Sequence, residues 1–278
     1  MICIINVVIS CGVVNQKDIE ETYLFYITIK NQNEGYAIVS ISVEDMENAS
    51  LNWGPVYWTI DKSREGKYLV KINFQDNNRV SIIKKLETYG KLLCKNNIIG
   101  LVSRDIQFLR ADNYEVIKTI PEWNIHDFTA DRNRLIVDSG SIYEYDDITK
   151  TKTILKPFPN DFLDAKYCPT DETVIAYIGA SNTADNMTGD IYLINNDATG
   201  NTLVLSGYNA LKLCWHPDGN RIIFATGNSI YSVNKDGSNV VFVKNHNVPA
   251  DIYFYLYYNL IAYIYPRNII VTEKFSIP

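Results

Sequence analysis

Between Ala210 and Lys244 the chain reads ALKLCWHPDGNRIIFATGNSIYSVNKDGSNVVFVK, and its apolar positions come in short bursts separated by turn residues. Leu211, Leu213 and Trp215 fall at every second position, the spacing that puts side chains on one face of a strand. Pro217-Asp218-Gly219 follows as a turn, with proline setting φ and glycine accepting a positive one. An apolar run from Ile222 to Ala225 is closed by a tight turn at Gly227-Asn228. Ser229 to Val233, the turn Lys235-Asp236-Gly237, and Val240 to Val243 complete the pattern. It predicts one sheet of four meandering strands.

The same plan recurs upstream. YCPTDETVIAYIG matches WHPDGNRIIFATG, and GDIYLINNDATGNTLVLS matches NSIYSVNKDGSNVVFVK, so Phe162 to Ser206 forms a second unit. A third, with a degraded turn, runs from Trp123 to Leu155, and all three carry an Ile-Tyr pair in the third strand: Ile142-Tyr143, Ile191-Tyr192 and Ile230-Tyr231. Weaker relatives span Leu86 to Ile120, Trp53 to Lys84, Thr22 to Ser50 and Asp251 to Pro278. A period of about 40 residues with four strands per unit is that of propeller blades, small sheets that bury their faces by stacking in a ring. The expectation is an all-β propeller of about seven four-stranded blades, with six or eight as alternatives. The first unit lacks an innermost strand and the last an outermost one, so a terminal strand is expected to close the ring.

The phrase WHPDGNRIIFATGNSIYSVNKDGSNVV resembles the TolB-type propeller repeat, whose usual form is an aromatic-Ser-Pro-Asp-Gly turn, an apolar strand, Ile-Tyr, then Asp-Gly. His216 replaces the usual serine, the second copy has Pro169-Thr170-Asp171 without glycine, and the early units lack the turn motif. The resemblance implies an exported protein, since most TolB-like propellers are exported. Related propellers front prolyl-oligopeptidase-type enzymes or act as metal-dependent oligogalacturonate lyases. The first would need a separate hydrolase domain, for which this chain has no room.

Met1 to Val14, MICIINVVISCGVV, is almost continuously apolar and supports two readings. Val8-Ile9-Ser10-Cys11-Gly12 resembles a bacterial lipobox, which would make residues 1–16 a signal and Cys11 a lipid anchor on a propeller domain of 17–278. Against this, Asn6 interrupts the stretch and no Lys or Arg precedes it, although signal peptides carry a positive leading region. The other reading is a β-strand, favoured by Ile2, Ile4, Val7, Val8 and Ile9. The first predicts a bacterial envelope or periplasmic location, the alternative a cytoplasmic one. Nothing in the chain reaches the roughly 18 consecutive apolar residues of a transmembrane helix, so membrane contact is expected only through a lipid anchor.

Composition narrows the chemistry. Twenty tyrosines and ten phenylalanines against three methionines favour β structure. A net charge of −6 with scattered Lys and Arg leaves no footprint for nucleic acid. Five cysteines, without a CxxC pair or histidine at zinc-ligand spacing, predict neither a zinc site nor a disulfide framework. Cys94, Cys168 and Cys214 lie in apolar contexts expected to be buried. No Gly-x-Ser-x-Gly elbow, HExxH or phosphate loop is present. Of the three histidines only His126 is placed to face the axis, too few for a histidine-ligated metal, and Asn234 to Asn239 matches the repeat's ordinary turn rather than a calcium loop. No metal or other cofactor is expected.

A binding site on a propeller belongs where the loops entering successive innermost strands converge. The repeat alignment puts Trp53, Trp123, Asn124, His126, Asp127, Asp161, Asp164, Lys166, Tyr208, Asn209, Lys212, Asp251 and Tyr253 there. Flat aromatics with interleaved carboxylates and amides suit a peptide or a sugar, although Trp53 and Trp123 equally suit packing between blades. The aromatic run Tyr253 to Tyr265 reads as a sheet buried on both faces. The expected function is non-catalytic binding of a protein or peptide partner through one ring face. The alternatives are a carbohydrate-binding protein or propeller glycan lyase, and a cytoplasmic interaction module.

Overall fold

The computed structural model describes residues 3–5, 19–44, 66–75, 79–87, 90–122, 124–138, 141–156, 162–180, 189–246, 248, 254–265 and 269–277. They form a β-propeller of six four-stranded antiparallel sheets. Strand β1 (Cys3–Ile5) belongs to the last blade. Blade 1 is β2 (Ile19–Ile29), β3 (Glu34–Glu44), β4 (Gly66–Asn73) and β5 (Arg79–Leu86). Blade 2 is β6 (Leu92–Lys95), β7 (Ile98–Val102), β8 (Ile106–Arg110) and β9 (Val116–Ile120). Blade 3 is β10 (Ile125–Phe128), β11 (Arg134–Asp138), β12 (Ile142–Asp146) and β13 (Thr151–Lys156). Blade 4 is β14 (Phe162–Tyr167), β15 (Val174–Ala180), β16 (Gly189–Asn195) and β17 (Thr202–Ala210). Blade 5 is β18 (Lys212–Trp215), β19 (Arg221–Ala225), β20 (Ser229–Asn234) and β21 (Val241–Asn245). Blade 6 holds β22 (Phe254–Tyr257), β23 (Leu260–Tyr265) and β24 (Ile269–Lys274), with β1 outermost.

The blade count is therefore six, not seven. The two N-terminal repeat units each contribute one hairpin, and the hairpins join edge to edge through β3 and β4, which pair from Glu34↔Asn73 to Ile41↔Gly66. Strands of eleven residues in β2 and β3 mimic two blades' worth of apolar positions in the sequence. The ring closes as expected of a propeller with an incomplete last unit: β1 pairs antiparallel with β24 through Cys3↔Thr272, Ile4↔Val271 and Ile5↔Ile270. Blade 1 then meets blade 6 through β2 against β22 and β23.

Hydrophobic burial lies between blades. Leu93, Phe108 and Ile120 of blade 2 pack on Ile125, Phe128 and Val137 of blade 3, with the Phe108 and Phe128 rings edge to face at 5.0 Å. Equivalent clusters join blades 1 and 2, 3 and 4, 4 and 5, and 5 and 6. No sheet this small can bury both faces by itself, so each blade depends on its neighbours. Cys168 and Cys214 are buried in these clusters and Cys94 partly so; burial pushes the Cys94 thiol up to about 12 and Cys214 further still.

The turns at the far end of the inner strands repeat one device. Asp131, Asp171 and Asp218 each accept the backbone N–H two residues on, from Asn133, Thr173 and Asn220 at 2.9, 3.1 and 2.8 Å. Asp146, Asp197 and Asp236 do the same between third and fourth strands, for Ile148, Thr199 and Ser238. Such side-chain turns nucleate reversal without glycine, which explains how Pro169-Thr170-Asp171 works without the repeat's usual residue. Where glycine does occur, Gly219 has φ +70 and its Cα faces Thr170 of the neighbouring blade; a Cβ there would lie 1.9 Å from Thr170 Oγ1.

Each outermost strand of blades 1 to 5 carries an unmatched residue opposite the third strand, and that of blade 4 has a second register shift before Ala210. The unmatched residues are Ile83, Ile117, Leu155, Val204 and Val243. Each turns toward the inter-blade core, whereas the residue before it stands exposed: Ile82, Val116, Ile154, Leu203 and Phe242. In four blades the next residue is lysine, at Lys84, Lys118, Lys156 and Lys244. A bulge bends and twists the strand, and a lysine beside it deters pairing with another chain, so these edges are closed to sheet extension. The Ile-Tyr pairs sit opposite three of these bulges.

Candidate functional site

The innermost strands β6, β10, β14 and β18 belong to separate sheets, so no backbone ladder joins them. Charged side chains do it instead. Lys91, just before β6, donates from Nζ to the Ile125 carbonyl of blade 3 at 2.8 Å, and Lys95 donates to Phe128 O at 2.8 Å. Asp127 Oδ2 accepts the Tyr167 N–H of blade 4 at 2.9 Å. In the reverse direction Lys166 Nζ donates to His126 O at 2.9 Å while also pairing with Asp164 Oδ1 at 2.9 Å. Asp164 Oδ2 accepts the Leu213 N–H of blade 5 at 3.2 Å, and Trp215 Nε1 returns a bond to Lys166 O at 3.0 Å. Four consecutive blades are thus stitched through side-chain-to-backbone bonds with one ionised partner in most of them, the stronger class of hydrogen bond.

At the far end of the same strands, Lys95 bridges three blades. Its Nζ lies 3.5 Å from Asp127 Oδ2 and 3.3 Å from Glu172 Oε1, and sits 5.5 Å from the Tyr167 ring centre. Tyr167 Oη donates to Glu144 Oε1 at 3.0 Å, and Arg134 stands 3.7 Å from that carboxylate. Burial raises the Glu144 carboxyl, with the Tyr167 and Arg134 contacts opposing it.

Lys91, His126, Asp164, Lys166 and Lys212, from four successive blades, lie on or beside the inner strands and influence one another's charge. Burial pulls the Lys91 ammonium down to about 7, with Lys166 and Lys212 adding to the effect and Asp164 and Asp127 opposing it. Lys212 is lowered in the same way, by burial against the attraction of Asp164. Burial followed by the Lys91 charge holds His126 well below the usual histidine range, so its imidazole is neutral at neutral pH. Burial alone would raise the Asp164 carboxyl, but Lys166 and Lys212 override it and hold it at about 2.

Of the residues singled out from the sequence, His126, Asp127, Asp164, Lys166 and Lys212 come together on the inner strands, and Asn124 lies partly buried just ahead of β10. Asn209, exposed with φ +55, is the penultimate residue of β17, the outer strand of blade 4, shortly before the chain enters β18. Tyr208 lies elsewhere: it packs edge to face on Phe224 at 5.7 Å and Tyr231 at 5.2 Å, on the blade 5 sheet. Trp53, Trp123, Asp161, Asp251, Tyr253 and Cys11 lie outside the described residues. Sequence reasoning missed Lys91 and Lys95, because β6 carries no Pro-Asp-Gly turn to align it with the later repeats.

The other histidines take structural roles. His216 Nδ1 lies 2.8 Å from Asp218 Oδ2 within the turn of blade 5. His246 is buried, its Nε2 3.0 Å from Thr226 O. Among the described residues no group of three or more His, Cys, Asp or Glu is arranged to hold a metal, and no helix is long and apolar enough to cross a membrane. Asn234 to Ser238 is a turn held by Asp236, which accepts the Ser238 N–H at 2.9 Å and its hydroxyl at 2.6 Å.

No protein-family model matches the chain, and no curated protein matches it. Solved structures do. A chain of the mitotic checkpoint complex superposes with a TM-score of 0.54 at 14% identity, covering 95% of this chain and 92% of that one. An oligogalacturonate lyase in complex with manganese gives 0.48 at 13% identity, over 72% of this chain, which spans 64% of the lyase. At such identities the likeness is one of fold alone, and that fold is a β-propeller.

Proposed function

We propose that this protein is a non-catalytic binding propeller of the TolB-like kind, which engages a protein or peptide partner through the ring face where the inner strands begin. The observation that carries the reading is the convergence of Lys91, His126, Asp164, Lys166 and Lys212 from four blades at that end. A buried ammonium pushed toward neutrality opposes folding, and such groups concentrate where a protein binds or reacts. The TolB-like assignment is supported by Trp215 to Gly219 and the recurring Ile-Tyr pairs.

Placement at a bacterial envelope through Cys11 belongs to the same proposal, but it competes with ring closure. Removing everything before Cys11 would strip β1 from β24 and leave blade 6 with three strands and an open edge. The pairing of β1 supports the closing-strand reading.

A displayed random-peptide library tests the partner reading. Selected peptides are expected to lose binding to Lys212→Gln at the mouth and keep it to Asn113→Arg in a turn at the opposite end. Failure to enrich any peptide, or equal binding by both variants, would overturn it.

A further inference from the structure

We infer that a cleft between blades 1 and 2 seats the partner, and that it takes a peptide segment bearing an acidic side chain. This rests on the partner reading above and gives it a place and a chemistry. Three observations carry it.

The first is a built cavity. It has a volume of about 660 Å³, in the range of small-ligand sites, and lies between the end of β5 and the turn joining β7 to β8. Leu92 at the start of β6 pairs with Leu101 near the end of β7, so the cleft is level with the start of an inner strand. That is the ring face assigned above to the partner. Sheet register fixes which way the walls look. Leu86 and Leu101 are buried in the cluster that joins blades 1 and 2, and both line the cleft. Lys84 precedes Leu86 by two residues with no shift of register between them, so its side chain stands on the same side, toward blade 2. Gln107 lies directly opposite Leu101 in the ladder and shares its face, toward blade 1. The cleft therefore has leucines at its base and a half-buried ammonium and amide on opposite walls.

The second is that these polar groups are uncommitted. Among the described residues, the side chains of Lys84, Arg104, Glu87, Asp105 and Gln107 make no hydrogen bond or ion pair, although all five residues line the same space. Charges at other blade boundaries are spent on stitching: Lys91, Lys95, Asp127 and Asp164 each bond the backbone of the next blade. The third is the balance of donors and acceptors. Lysine offers three N–H donors, arginine five and glutamine two, against the carboxylates of Glu87 and Asp105. Lys85 adds another positive charge at the rim, its Nζ 5.8 Å from the centre of the Tyr68 ring. Donors exceed acceptors and cations exceed carboxylates, so the complementary ligand brings acceptor oxygens and negative charge. A simple anion would leave Glu87 and Asp105 without donors. A peptide segment supplies both, an acidic side chain for the cations and backbone N–H groups for the carboxylates.

Calorimetric titration with an acetylated, amidated tri-glutamate peptide tests this, beside the matching tri-glutamine and tri-lysine peptides and free glutarate. Tri-glutamate is expected to bind, tri-glutamine and glutarate at least about ten-fold more weakly, and tri-lysine not at all. Binding should weaken as NaCl is raised from about 0.05 M to about 0.5 M. Lys84→Gln combined with Arg104→Gln is expected to weaken tri-glutamate binding at least about ten-fold. Lys235→Gln, at an exposed lysine in the turn between β20 and β21, should leave it unchanged. Equal binding of tri-glutamine or tri-lysine overturns the acidic requirement, and glutarate binding as tight as tri-glutamate overturns the peptide. Unchanged binding by the double variant, with its circular dichroism intact, overturns the site. If the double variant fails to fold, Arg104→Gln alone, on an exposed turn, decides in the same way. Library peptides that need Lys212 but bind the double variant at full strength would sink the cleft and leave the partner reading standing. Tri-glutamate held by the cleft while no library peptide is enriched would do the reverse.

Discussion

The carboxylate of Asp127 in blade 3 accepts the backbone N–H of Tyr167 in blade 4 at 2.9 Å, joining two inner strands that share no ladder. Asp127→Ala leaves that buried N–H without an acceptor and removes the anion 3.5 Å from Lys95. A loss of about 2–3 kcal/mol in urea unfolding is expected, and a smaller loss for Asp127→Asn, which keeps an acceptor oxygen. Equal losses for the two variants would show that the charge, and not the hydrogen bond, matters.

Acid should reach Asp164 late. Its carboxyl is held at about 2 against an ordinary 3.8, so the folded form binds its proton less readily than the unfolded chain. The stability from this group is complete above about pH 4 and disappears as pH falls through 2, a change of about 2 kcal/mol. In Asp164→Asn that part of the acid slope is expected to vanish from unfolding curves measured between those limits.

Lys91 gives a pH slope of the same sign but, unlike Asp164, destabilises the fold at neutral pH. With its ammonium at about 7 in the fold and 10.5 ordinarily, the unfolded chain binds more protons across that interval, so stability climbs as pH rises from 7 toward 10.5. Lys91→Met should flatten this climb and raise stability at neutral pH by about 1–2 kcal/mol, as replacement of a buried ion by an apolar side chain can. Thermal unfolding at several pH values would measure both effects.

Gly219 is confined by conformation and space together. Its φ of +70 disfavours any side chain, and a Cβ would press on Thr170 across the blade 4–blade 5 boundary. Gly219→Ala is expected to cost about 1–3 kcal/mol. Thr170→Ala in the same chain should recover the steric part and not the conformational part.

The exposed Ile154 and Leu203 sit on bulged edges and touch little. Changing either to lysine should leave stability within about 0.5 kcal/mol and lower light scattering of concentrated protein. A large drop in stability would mean that these side chains pack more tightly than their exposure indicates.

Much of the ring was legible in the chain. Blade 5 could be read strand by strand, because Pro217-Asp218-Gly219 and Lys235-Asp236-Gly237 mark its turns and its apolar runs are short. Blade 1 could not, because β2 and β3 are twice as long as their counterparts and 21 residues, 45–65, separate β3 from β4. The outer edges were hidden for another reason: an extra residue breaks the two-residue period, so Ile154-Leu155-Lys156 and Phe242-Val243-Lys244 look like ordinary buried strand. At the ring mouth, His126, Asp164, Lys166 and Lys212 follow from aligning the repeats. What the alignment could not reveal is that Lys166 and Asp164 each bond the backbone of a neighbouring blade, since that depends on distances between strands about 40 residues apart.

Pairing of Ile4 with Val271 places the two halves of one sheet 267 positions apart. During synthesis, β1 leaves the ribosome before the other described strands and must wait for nearly all of them before its partner exists. Until then β1 is unpaired, and the ring is an open arc whose end blades each lack a neighbour. Closing so long a loop is slow compared with forming any single hairpin, because the entropy of bringing the ends together must be met before the contact is made. The nascent arc is thus the state most exposed to misassembly, and chaperone binding during that interval would act on β1.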